Sequence, residues 1–189
     1  MTLLIIGIVV FLGLHLVPSF RGVRADLIGR LGEKGYKRAY SLTALLGLVL
    51  IVAGFWTAPY VQLWTPPAWG QHAAMLLMLF AFIFFFAGRI PGRIKAAVKN
   101  PLLVAVKIWA LAHLLSNGDL AGLILFGSFL AFAVFDTISV KRRATSAPKK
   151  AVAINPRNDF IAVGLGVVVY AAFVLWLHGL LFGRPLMMI

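Results

Sequence analysis

Four histidines, His15, His72, His113 and His178, carry most of the chemistry that this 189-residue sequence offers. Neutral imidazole is a ligand for metals and for haem iron. The chain has no cysteine, which excludes disulfides, thiolate metal sites and a cysteine nucleophile. His113 stands in NPLLVAVKIWALAHLLSNGD (100–119), an apolar run that also holds Lys107 and Trp109. An ionisable group at membrane depth is costly, so each one there needs a structural or chemical reason. Two roles are open to each histidine. A lone imidazole in a membrane helix more often hydrogen-bonds between helices, whereas several at one depth form a ligand set. No paired carboxylates, Ser-His-Asp set, glycine-rich phosphate loop or His-x-x-x-His helix occurs, so hydrolytic and nucleotide-dependent chemistry has no support.

The elements that must position these side chains can be read from composition. With 62% hydrophobic and only 12% charged residues and a mean hydropathy of +0.98, the chain departs from soluble proteins, which are roughly 45–50% apolar and 25% charged. An all-α, polytopic integral membrane helix bundle is predicted. Crossing the hydrocarbon takes about 17–25 apolar residues per helix. Six segments qualify, 2–18, 39–57, 71–88, 99–116, 119–138 and 160–182, within a single membrane domain, 1–189, that includes a basic linker, 139–158. The first apolar run has no basic residue before Arg21, so it reads as a retained span and not a cleaved signal.

Of the 18 Lys and Arg residues, all but Lys107 and Arg184 fall in the segments 19–38, 89–99 and 139–158. The positive-inside rule makes those segments cytoplasmic and sends both termini to the outer, periplasmic side. The net charge of +13 lies in short clusters between apolar runs, which suits anionic lipid headgroups and not nucleic acid. In the first basic segment, Val23, Leu27, Ile28 and Leu31 recur at helical spacing and predict a short helix on the membrane surface. The loop with Tyr60, Trp64, Pro66, Pro67 and Trp69 reads as an interfacial aromatic belt. Asp119, after the Asn117-Gly118 turn, is expected to start the fifth span. Gly118/Gly122 and Gly127/Ala131 are expected to let that helix approach a neighbour.

This topology places His72, His113 and His178 toward the outer leaflet and His15 toward the cytoplasm. A dozen residues at 1.5 Å separate His15 and His113 vertically by roughly 15–20 Å. Lys107 lies nearer mid-span and is expected to snorkel or to form a structural ion pair with Asp136, against a role toward substrate.

The runs LGEKGYKRAYSL (31–42), LWTPPAW (63–69), PGRIKAAVKNPLL (91–103) and WALAHLLSNGDLAGLILFGSF (109–129), in that order, resemble the NnrU family of bacterial membrane proteins. The resemblance implies a multi-pass protein of the bacterial inner membrane, associated with nitrite and nitric oxide metabolism in denitrification. That family is in turn similar to the 15-cis-zeta-carotene isomerase, which uses haem b. By that similarity His15 and His113 are haem ligands. Ala110 stands where the isomerase has a cysteine, and Asn100-Pro101 stands where relatives have His-Pro. The depth difference leaves His72 or His178 as the other companion for His113. The function expected is a redox or isomerase-like role with haem b centred on His113. The alternative is a non-enzymatic scaffold, assembly factor or small-solute carrier that works with membrane partner proteins.

Overall fold

A computed structural model describes residues 1–144, 154–183 and 186, so Pro148, Lys149 and Lys150 of the basic linker lie outside the described residues. The described residues are helical, with one isolated antiparallel bridge, Gln62 to Asp119, and no strand. The all-α expectation holds. Five helical segments are long and apolar enough to cross a membrane: Thr2–Ser19, Arg21–Trp56, Gly70–Arg89, Leu120–Arg142 and Arg157–Phe182. The fourth expected span is the shorter apolar helix Pro101–Ser116, whose 16 residues reach only about 24 Å at 1.5 Å per residue.

The chain forms two compact units, residues 1–65 with 118–143 and residues 66–117 with 144–189. In the first, α1 (Thr2–Leu16) ends in a 3₁₀ turn at Pro18 and is followed by α2 (Arg21–Trp56). The two pack as an antiparallel pair with backbones nearly touching. A Cβ on Gly7 would lie 2.6 Å from the Ile51 nitrogen, and one on Gly54 would collide with the backbone of Leu4. Close approach at small residues is how helices associate where lipid removes the hydrophobic driving force. The fifth span, α6 (Leu120–Ala144), completes this unit through Phe126 on Phe55 and Phe129 on Phe11. Its Gly127 meets only Leu123 of its own helix, at 4.0 Å, and Ala131 is exposed. The expected seam at Gly127/Ala131 is therefore absent, and the tight contact lies on α1 and α2.

α2 is broken at Gly32, where φ 67 and ψ 164 fall in a region essentially reserved for glycine. Arg21–Leu31 is thereby set off as its own helix, with Val23 and Leu31 exposed. At the other end of α2 the chain is extended. Leu63 and Trp64 donate to the Gly118 carbonyl at 2.7 and 3.1 Å, and the Leu120 amide donates to Val61 at 2.9 Å. Asp119, 4% exposed, accepts the Gly122 amide at 2.8 Å and caps α6 as expected.

In the second unit α3 (Gly70–Arg89) packs along α5 (Pro101–Ser116) and α7 (Arg157–Ala172). Gly70 faces the Leu115 carbonyl, Gly88 faces Leu102, and Gly166 of α7 faces the Ile83 backbone. A short helix, α4 (Arg93–Val98), precedes α5. A π-helical turn, Phe173–Leu177, joins α7 to α8 (His178–Phe182). Burial in both units is inverted relative to a soluble protein. Ala105, Ala110, Ala112, Ala133 and Ala162 are buried, whereas Val9, Leu42, Phe160 and Leu180 are 65%, 67%, 81% and 77% exposed. Large apolar side chains facing outward are stable only in hydrocarbon, so the chain is a multi-pass membrane protein.

Candidate functional site

Each unit holds a histidine fixed by the same local device. On α5, His113 Nδ1 lies 2.8 Å from the carbonyl oxygen of Trp109, one turn earlier. A carbonyl can only accept, so Nδ1 carries the proton and Nε2 keeps its lone pair. The Trp109 indole packs on the imidazole with ring centres 5.4 Å apart. Ala110 and Ala112, both fully buried, bring this stretch of α5 close to its neighbours. On α1, His15 Nδ1 lies 2.7 Å from the Phe11 carbonyl, and the Phe11 ring stacks on it at 4.3 Å. Both are aromatic-x-x-x-His turns. An α-helix brings residues i and i+4 onto one face, and the ring's own helix supplies the acceptor for Nδ1.

The surroundings differ. His15 sits among rings from three helices, with Tyr40 of α2 at 5.7 Å and Phe132 of α6 at 6.2 Å in addition to Phe11. His113 has a second imidazole within electrostatic reach, that of His178. His178 is the first residue after the π-helical turn. Such a turn inserts a residue into the helical repeat and re-aims the side chains beyond it, and π turns recur at functional sites. His178 was one of the companions left open by the sequence, and the π turn before it has no sequence signal. His72 lies exposed on the first turn of α3.

Lys107 is half-buried on α5 in the second unit, and Asp136 is on α6 in the first. Asp136 accepts a long hydrogen bond from Ser19 Oγ at 3.4 Å. Sequence reasoning did not single out Asp159. From the start of α7 its carboxylate accepts the Arg93 amide at 3.0 Å and the Ile94 amide at 3.1 Å, capping α4 from another helix. A side chain on Gly92 would collide with that carboxylate. Asn158 Nδ2 adds a bond to the Pro91 carbonyl at 2.8 Å. Among the described residues no cluster of three or more His, Asp or Glu could hold a metal ion by itself. One or two axial imidazoles are what haem iron takes from a protein.

Fold and site together define a class: an all-α, multi-pass membrane protein with imidazoles set on helix faces and their proton positions fixed by the backbone. The family can be stated more closely. Residues 3–186 match the NnrU protein family, and the chain belongs to that family. No curated protein and no solved structure matches it.

Proposed function

We propose that this chain is a bacterial inner-membrane protein serving nitrite and nitric oxide metabolism, with haem b held through His113 in a redox or isomerase-like role. The observation that supports this reading is the His113 turn. Ligating histidines characteristically donate their second ring nitrogen to a carbonyl or carboxylate, which fixes the tautomer and raises the basicity of the ligating nitrogen. The bond from Nδ1 to Trp109 has that form. His178, within electrostatic reach of His113 in the same unit, is the companion imidazole this reading uses. His15, a ligand by the resemblance, has the same backbone bond but stands in the first unit, and this reading does not use it. Bound haem supplies an iron centre whose potential is tuned by its axial ligands and by burial. The chain's own part is to fix the ring of His113, pack Trp109 against it and keep the surroundings dry.

The test is the absorption spectrum of full-length protein expressed with haem supply and purified in mild detergent. A Soret band is expected in the wild type and is lost in His113→Ala. A colourless wild type of full stability would remove haem from the account and leave His113 as a packing group. Growth of a deletion strain on nitrite tests the physiological link separately.

A further inference from the structure

The break in α2 creates a second feature, far in sequence from His113. Twelve residues separate Arg24 from Tyr36, about 18 Å in a continuous helix. Because the chain turns at Gly32, the Arg24 guanidinium lies instead over the Tyr36 ring, 5.8 Å from its centre. Beneath it is a pocket of about 410 Å³ lined by Pro18, Arg24, Tyr36, Lys37, Tyr40 and Ser41. Its walls are rings, a proline and alkyl stems, its charged lining groups are two cations, and the Asp136 carboxylate lies within electrostatic reach of Tyr40. Lys37 also pairs with Glu33 at 3.1 Å, but both side chains are well exposed, and such a pair is weak. Among the described residues Arg24 makes no ion pair.

The pocket stands where the apolar α1 ends and the basic surface helix begins. From Ser41 onward the same face of α2 continues with Leu45, Leu48 and Val52, which are 58%, 47% and 39% exposed. These positions recur at helical spacing and form one apolar stripe leading away from the pocket. A cationic pocket that opens onto a lipid-facing stripe suits a ligand with an anionic head and an apolar tail.

We propose that this pocket is a binding site for the phosphodiester head of an anionic phospholipid, with Arg24 and Lys37 on the phosphate, the tyrosine and serine hydroxyls as additional donors, and the acyl chain along Leu45, Leu48 and Val52. Arginine suits phosphate because its planar fork offers several donors at once. The site stands independently of haem at His113.

The experiment is native mass spectrometry of full-length protein released from detergent, titrated with phosphatidylglycerol and, separately, with phosphatidylcholine of the same chain length. Wild-type protein is expected to retain phosphatidylglycerol preferentially. Arg24→Gln and Lys37→Gln should each weaken that retention by roughly fivefold, the effect of one basic residue near an anionic headgroup. Arg157→Gln, an exposed cation of the other unit, should leave it unchanged. Circular dichroism checks that each variant keeps its helices. Equal retention of the two lipids by wild type, or equal losses in Arg157→Gln and Arg24→Gln, would overturn the site. Displacement of phosphatidylglycerol by glycerol phosphate at comparable concentration would overturn the lipid assignment, because a free phosphate would then suffice.

Discussion

In the first unit His15 lies in a cage of rings contributed by α1, α2 and α6, whereas in the second His113 packs against the indole of its own helix and lies within electrostatic reach of His178. The backbone bond that fixes each ring is the same. The local turn sets which nitrogen is available, but the neighbours decide what that nitrogen can do. Aromatic rings around His15 offer packing and an apolar environment, while His178, within electrostatic reach of His113, offers a second imidazole. The two caps show the same division. Asp119 caps the helix it begins, whereas Asp159 caps a helix that precedes it by some 65 residues.

The sharpest way to break the comparison of the two histidines is spectroscopic. On the proposed haem reading, His113→Ala should abolish the Soret band, while His15→Ala should leave most of it. Loss of the band in both variants would mean that the two imidazoles share one function despite their surroundings. Next in size is the backbone contact of the first unit. Gly54→Ala forces a Cβ into the Leu4 backbone and should cost about 2–3 kcal/mol, the range of overpacking in a close-packed contact. Gly13, also on α1, has nothing within 4 Å, so Gly13→Ala should be neutral or slightly stabilising through helix propensity. Thermal unfolding in detergent measures both.

The caps come third. Asp119→Ala and Asp159→Ala should each cost about 1–2 kcal/mol, as loss of an N-cap does. They differ in readout, because only Asp159→Ala frees the start of α4 and should speed tryptic cleavage at Arg93 and Lys95. Equal cleavage in both variants would show that the long-range cap is not what holds that helix. Smallest is the surface helix. Arg30 and Asp26 are paired at 3.0 Å with side chains 74% and 56% exposed, and Arg30→Ala should change stability by less than about 0.5 kcal/mol.

Much of the fold was legible because the signals are local. Apolar run length marks the spans, and Asp119 after an Asn-Gly turn marks the start of α6. The spacing of Val23, Leu27, Ile28 and Leu31 marks the helix that ends at the Gly32 break. The seam at Gly127/Ala131 misled because small-residue spacing shows where a close approach is sterically allowed, not which helix arrives. Gly7 and Gly54 make the actual contact and carry no stronger pattern.

The sequence by itself determined the all-α membrane class, the positions of the helices and the identity of the imidazoles, since hydrophobic length, capping and residue chemistry act within a few residues along the chain. Only the tertiary structure decided that His178 comes within electrostatic reach of His113, that Asp159 reaches α4, and that Arg24 folds over Tyr36 at the Gly32 break. Each of these joins residues a dozen to more than sixty positions apart. Such contacts depend on how whole helices turn and pack, and no local pattern of residue types carries that information.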